Sequence, residues 1–249
     1  MKMRKLIAAL LALCCIFAVV ACDNQGGEDE GLGNLDEATA AQVDAVLNMF
    51  DDSIPTRSET NTTENVGQVV IKSSAYLATG QIGGKKASVY EGSYQSLSEV
   101  GNNFDMVQTE KESKWYVEGQ GVSTDKGVTW NAEEGDFAPD EGFIKISLKK
   151  SKIKSAKYYT ATSTLEVVID KAYATEVVAA YLEPGQTIDS DITITIVTAG
   201  GRITGLNLVY SIPSHEIQVP DSDATILIPE TKITVDAKYS YGLQTITLD

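Results

Sequence analysis

The chain has 249 residues, 43% of them hydrophobic, and a net charge of −15, because 35 acidic residues face 20 basic ones. A chain this acidic repels nucleic-acid phosphates, and we therefore expect no nucleic-acid partner. Its length is sufficient for one sizeable apolar core. The three cysteines, Cys14, Cys15 and Cys22, lie in the first 22 residues. This position excludes a disulfide framework, a cysteine nucleophile and a cysteine-based metal site in the rest of the chain.

The first 22 residues have the pattern of a lipoprotein signal. Lys2, Arg4 and Lys5 precede an apolar run that ends in Val-Val-Ala-Cys at residues 19–22, which fits a lipobox. The run of about 16 apolar residues is shorter than the roughly 20 that a membrane-spanning helix needs, and no basic stop-transfer cluster follows it. We therefore predict a signal peptide at residues 1–21 and an acyl anchor of palmitate type on Cys22. Through the acylated Cys22 the protein would contact membrane lipid and be held at the extracytoplasmic face of the cell membrane.

The segment after the lipobox changes character twice. Residues 22–34 are rich in glycine and acid, which predicts a flexible tether, and residues 35–249 are predicted to form a single β-rich domain. Val43, Val46, Leu47 and Phe50 recur at helical spacing, so the domain is expected to begin with an amphipathic helix. The Ser/Thr/Asn-rich residues 56–65 that follow Pro55 predict a loop.

From Gly67 onward the apolar residues alternate with polar ones, the pattern of half-buried strands. About ten mostly antiparallel strands are expected, and one short helix is expected near residues 171–182. The run Leu165–Ile169 fits either a strand or a helix. The predicted hairpins pair residues 69–78 with 87–97, 113–122 with 128–131, 143–148 with 153–162, 191–197 with 206–212, and 233–241 with 244–248.

One motif resembles an Asp box, the S-x-D-x-G-x-T-W pattern of sialidases. Residues 123–130 match it position by position, but a single copy predicts only a turn between two strands. A sialidase needs several arginines and a six-bladed body, whereas Arg57 and Arg202 are the only arginines after the lipobox. The sialidase reading is therefore rejected.

Other candidates for chemistry have ordinary interpretations. His215, the sole histidine, is expected in a surface loop, and without a second histidine or a cysteine it makes neither a zinc site nor a convincing Ser-His pair. Residues 144–157 contain six lysines and no acid, which favours an edge strand with outward lysines and leaves contact with an anionic headgroup as the alternative. We predict no metal, no cofactor and no enzymatic activity.

Tyrosines suggest a binding face instead. Nine of them lie on predicted strands, so one sheet face is expected to be broad, apolar and edged by hydroxyl groups. Two helices are few for covering about ten strands, which leaves either a packed core or a partly vacant concavity that takes an apolar ligand. The tyrosines chosen as ligand-binding residues are Tyr76, Tyr90, Tyr116, Tyr210 and Tyr239.

The order of elements resembles the LolA-like and LppX-like bacterial lipoproteins. The resemblance is carried by the lipobox and opening helix, the consecutive hairpins, the strand and short helix at residues 158–182, the hairpin at 192–209 and the closing segment 233–242. It implies an α+β, β-dominated fold, a curved antiparallel half-barrel of about ten strands with an N-terminal helix and a short helix near 171–182. It also implies a non-enzymatic carrier or sensor of lipids or lipoproteins outside the cytoplasmic membrane.

Three functions follow from these observations. The first is a membrane-anchored extracytoplasmic lipoprotein that binds or presents a lipid or another apolar ligand. The second is an anchored structural or protein-interaction module with a filled core and no ligand. A hydrolase that uses His215 ranks third.

Overall fold

The computed structural model describes residues 37–52, 55–100, 103–132, 146, 148–182, 185–218, 225–242 and 244–248. The predicted signal peptide, the anchor residue Cys22 and the tether at 22–34 lie outside the described residues, as does most of the predicted strand at 143–148.

The described part of the chain contains two α-helices, thirteen strands and three short 3-10 turns. The helices are α1 (Glu37–Asp52) and α2 (Lys171–Val177). The strands are β1 (Arg57–Val66), β2 (Val69–Ile82), β3 (Lys85–Val100), β4 (Asn103–Val117), β5 (Gly121–Ser123), β6 (Ile153–Tyr159), β7 (Thr164–Ile169), β8 (Ile192–Ala199), β9 (Arg202–Ile212), β10 (His215–Gln218), β11 (Thr225–Ile228), β12 (Thr231–Ser240) and β13 (Gln244–Thr245).

Eleven of these strands form one open sheet, in the order β5-β4-β3-β2-β1-β12-β9-β8-β7-β6. All neighbours along this path are antiparallel, whereas β13 lies off the path and pairs in parallel with β2. Strands β10 and β11 form a separate two-stranded ribbon. The sheet does not close into a barrel, so the prediction of a β-dominated fold with about ten antiparallel strands and two helices is confirmed.

The helices cover one face of the sheet, here called the inner face. Residues opposite each other in an antiparallel ladder point to the same side, so the register assigns every strand residue to a face. α1 packs over β6 and β9, and its Val43 and Val46 are buried against the sheet. α2 begins at the N-cap Asp170, whose side chain accepts a hydrogen bond from the amide of Ala172, and buries Ala174 and Val177. The fully buried strand residues of this core are Ile153, Leu165, Val167, Ile169, Ile192, Ile194, Ile196 and Leu208.

A second, smaller core lies on the opposite, outer face, at one end of β2 to β5. It contains Ala78, Ala87, Val89, Trp115, Val117 and Ile246. β13 reaches it by running across Gly80, where a Cβ atom would stand 2.1 Å from the carbonyl oxygen of Gln244. Glycine at position 80 therefore permits the parallel docking of β13.

The structure confirms several predicted elements. The hairpins β2–β3 and β8–β9 form as expected, and both predicted helices are present. The ambiguous run at residues 165–169 belongs to strand β7, where each second side chain faces the core.

Four local predictions were wrong. Residues 57–66, predicted mostly as loop, form the central strand β1, because β2 and β12 both supply it with ladder partners. The strand predicted at residues 113–122 is interrupted, because the chain turns back on itself at residues 118–120, with Gly119 and Gly121 at positive φ. Residues 244–245 pair with β2 rather than with β12. His215 lies in β10, opposite Ile228, and not in a loop.

Candidate functional site

The inner face changes chemistry between β12 and β1. On β6 to β9 and on β12 it is apolar, buried and covered by the helices. On β1 to β3 most of its residues are polar and half-buried. We call this second region the polar floor; by register it contains Thr60, Thr62, Glu64, Ser73, Ala75, Gly92, Tyr94 and Ser96.

The register of β1 sets the polar floor directly beside the apolar core. Thr60 lies opposite Ala237, Thr62 opposite Val235 and Glu64 opposite Ile233, and all three partners on β12 are buried. Adjacent strands are about 4.8 Å apart, so a ligand on this face meets both kinds of surface. The arrangement suits an amphipathic molecule.

Glu64 is the charged residue of the polar floor, and it is half-buried. Burial raises the pKa of its carboxyl above the usual value. Among the residues that the structure describes, no hydrogen-bond donor or cation pairs with this carboxyl group. The nearby lysines face the other way, since Lys72 lies opposite Thr63 and Lys232 opposite Asn65, both on the outer face.

Two further side chains of the polar floor have unusual surroundings. The hydroxyl oxygen of Thr60 is buried, and no hydrogen-bond partner for it lies within the described ranges. Tyr94 is buried, which raises the pKa of its phenol, and the charges of Glu64 and Glu110 act in the same direction. A buried polar group without a partner costs free energy, so Thr60 and Glu64 are the groups here that a ligand could satisfy.

Tyr90 and Leu77 form an apolar border at one end of the polar floor. They lie opposite each other on β3 and β2, and Tyr90 packs against the main core. The ring of Tyr90 lies over Gly92, where a Cβ atom would stand 2.6 Å from the tyrosine hydroxyl. Val69 and Ile71, both half-buried, border the opposite end on the same face.

The structure distributes the five tyrosines predicted as ligand-binding residues over different surroundings. Tyr210 and Tyr239 belong to the main core and are only 4% and 7% exposed. Tyr90 borders the polar floor, and Tyr116 lies on the inner face of β4, opposite Ser88. Tyr76 lies on the outer face, where it packs against the second core and its ring centroid is 5.2 Å from the Arg57 guanidinium carbon.

Sequence reasoning missed Thr60 and Glu64 because their segment was predicted to be loop. The available signal was the run of threonines, which are good strand formers, between two regions of alternating character. Tyr94 was one of the nine strand tyrosines but was not chosen as a ligand-binding residue.

Three lysines of the lysine-rich window form ion pairs at the start of the edge strand β6, from the short turn Lys150–Lys152 into the strand itself. Each pair joins this edge to a different element: Lys150 to Asp44 on α1 at 2.9 Å, Lys152 to Glu176 on α2 at 2.5 Å, and Lys154 to Asp191 before β8 at 2.6 Å. Three of the lysines are therefore already neutralised, which weakens the alternative of an anionic headgroup site.

The residues of the Asp-box pattern form a closed turn. The hydroxyl of Ser123 donates to Asp125 at 2.7 Å and accepts from the amide of Gly127 at 2.8 Å. Hydrogen bonds from the hydroxyl and amide of Thr129, with that of Ser123, lower the pKa of Asp125 to about 2. Trp130 packs against the second core. The motif forms a turn that brings Val122 opposite Asn131, as a single copy of the pattern predicted.

His215 has partners that suit a structural role. The Nδ1 atom of His215 lies 3.0 Å from the carbonyl oxygen of Pro213, and its Nε2 atom lies 3.3 Å from the side-chain amide nitrogen of Gln186. Within the described ranges no three histidine, cysteine, aspartate or glutamate side chains come together as a metal site would require. In the same ranges no helix has the length and apolar character of a membrane span.

Comparison with known proteins assigns the chain to no family. No protein-family model matches the chain, and no curated protein matches it. Among solved structures, a DUF1329 family protein from Desulfovibrio piger is similar, with 10% identity over 83% of this chain and 95% of that chain and a TM-score of 0.24. With so low a TM-score the similarity supports no fold family, so the resemblance to the LolA-like and LppX-like lipoproteins stays a prediction. What can be stated is an open antiparallel sheet of the α+β class with helices on one face.

Proposed function

We propose that the protein is a non-enzymatic, membrane-anchored extracytoplasmic lipoprotein that binds an amphipathic or largely apolar ligand on the polar floor. The observation that carries the proposal is the division of the inner face. One part is filled by the protein's own side chains, while the other part is half-buried and holds Thr60 and Glu64, for which the described residues supply no partner. The lipobox and the order of elements resembling lipid carriers support the same function.

The proposed ligand lies over β1 to β3 and not beneath the helices. The residues beneath α1 and α2, such as Ile194 and Leu208, are fully buried, so an acyl chain there would have to displace packed side chains. Over β1 to β3 the apolar borders at Leu77 with Tyr90 and at Val69 with Ile71 offer surface for a short apolar chain. The hydroxyl groups between them suit the polar part of the molecule.

A pair of neighbouring substitutions tests this location. Thr62 faces the polar floor and Thr63 faces outward, and both are half-buried on the same strand. We expect Thr62→Phe to occupy the binding space and Thr63→Phe to leave it unchanged. Protein that begins after residue 22 would be purified, extracted with organic solvent and compared by mass spectrometry for co-purifying lipid. Equal lipid in the two variants would contradict the proposed location.

The anchor has a separate test. We expect Cys22→Ala to abolish incorporation of labelled palmitate and to prevent processing at the lipobox, because the thiol is the acyl acceptor. Incorporation that persists in this variant would refute acylation of Cys22.

The filled half of the inner face favours a second candidate, an anchored interaction module without a ligand. The ribbon β10–β11 adds exposed apolar surface, with Ile226 45% and Leu227 65% exposed, as an interaction surface would. Absence of co-purifying lipid from both the unsubstituted chain and the Thr63→Phe variant would support this candidate over the first.

A further inference from the structure

We infer that Glu64 selects ligands whose polar end carries a cationic N–H donor, such as a primary ammonium group. The inference rests on the proposed function and adds to it the chemical class of the ligand's head. It starts from the position of Glu64 on the polar floor, beside the buried Ile233 and the half-buried Ile71.

Within the described part of the chain, no unpaired positive charge lies beside Glu64. The lysines of the flanking strands, Lys72 and Lys232, lie at outer-face positions. The inner face of β4 carries Lys114, but its ammonium group is 2.7 Å from Glu112. No described residue thus neutralises Glu64.

The remaining charges on this side of the sheet strengthen the preference for a cation. Glu110 lies opposite Tyr94 on the inner face, and Glu112 lies opposite Gly92. With one lysine against three carboxylates, the inner-face residues 58–64 and 108–116 of β1 and β4 carry net negative charge. A negative surface on a chain of net charge −15 attracts cationic ligands and repels fatty-acid carboxylates.

A partly desolvated carboxylate without a partner is unfavourable, and an ammonium group would offset this cost. Burial raises the pKa of Glu64, in keeping with a carboxylate that lacks a cation. A bound ammonium group would stabilise the charged form through a short, charge-assisted hydrogen bond. The ligand's apolar chain would then lie against Val69 and Ile71, the apolar border at the same end of the polar floor as Glu64.

The experiment compares three amphiphiles of equal chain length. Octylammonium, 1-octanol and octanoate are titrated calorimetrically against the full lipid-anchored chain in phosphatidylcholine nanodiscs, with empty nanodiscs as the blank. We expect octylammonium to bind about tenfold more tightly than octanol, the factor that one charge-assisted hydrogen bond supplies, and octanoate to bind least well. Glu64→Gln should remove this preference and leave octanol binding in place.

Glu59→Gln is the matched control, because Glu59 lies on the same strand but on the outer face, where it pairs with Arg57. It should keep the preference for octylammonium. Octanol binding without that preference, or a preference that survives Glu64→Gln, overturns the role of Glu64 and leaves the proposed function standing. Failure of all three amphiphiles to bind overturns the proposed function itself.

Discussion

Replacement of Gly80 by alanine should release the C-terminal segment from the sheet. A Cβ atom at this position would stand 2.1 Å from the carbonyl oxygen of Gln244 and 2.8 Å from its carbonyl carbon. Both neighbours are backbone atoms, so no side-chain rotation relieves the clash. β13 must therefore move away, and Ile246 leaves the second core with it.

The expected loss of stability follows from what β13 and Ile246 contribute. Ile246 is buried, and its amide donates to the carbonyl oxygen of Gln81 at 3.3 Å. Burial of such a side chain contributes about 1.5–3 kcal/mol, and each lost hydrogen bond about 1 kcal/mol. We therefore expect Gly80→Ala to lower the free energy of unfolding by about 2–4 kcal/mol.

Tryptophan fluorescence during urea unfolding measures this effect directly. Both tryptophans of the chain, Trp115 and Trp130, pack in or against the second core. The emission of the folded Gly80→Ala variant should therefore shift to longer wavelength, and its urea midpoint should fall.

Gly205→Ala is the matched control, since Gly205 also lies within a strand. A Cβ atom there would meet its nearest neighbour, Val197, at an ordinary 3.4 Å. This variant should change stability by less than about 1 kcal/mol. Equal unfolding curves and emission spectra for Gly80→Ala and the unsubstituted chain would refute the docking of β13 at Gly80.

Three more predictions concern charged groups. Asp125→Asn should lower the free energy of unfolding at pH 7. Hydrogen bonds depress the pKa of Asp125 to about 2, so the stabilisation is present above the unfolded pKa near 3.8 and is lost as pH falls toward 2. The urea midpoints of the variant and the unsubstituted chain should therefore converge in acid. Glu176→Ala should cost about 1–2 kcal/mol in chemical denaturation by leaving the buried Lys152 ammonium unpaired, and Lys152→Met in the same chain should restore most of the loss. Burial raises the pKa of Glu64, so the contribution of Glu64 to the free energy of unfolding falls as pH rises from 4.5 through the folded pKa. Glu64→Gln should remove this pH-dependent loss of stability, and a variant whose stability follows the same pH profile as the unsubstituted chain would contradict the prediction.

The polar floor shows why the candidate site was only partly predictable. Tyr90 was selected from the sequence because it lies in an alternating apolar strand, and it does border the polar floor. Glu64 and Thr60 belong to a strand of polar residues, for which alternation gives no signal. Tyr210 and Tyr239 have the same sequence pattern as Tyr90 and lie on the same face, yet they are core residues because the helices cover that face on β9 and β12.

The sequence by itself determined the elements whose side chains face the main core. Alternating isoleucines specify β8, helical spacing specifies α1, and paired glycines specify the hairpin turns, because each of these signals arises within a few neighbouring residues. Only the tertiary structure decided that residues 57–66 form a central strand and that β13 docks in parallel on β2. These segments obtain their ladder hydrogen bonds from partners such as β12, far away in the chain. No local pattern can encode that pairing, so the polar floor exists only once the distant strands have come together.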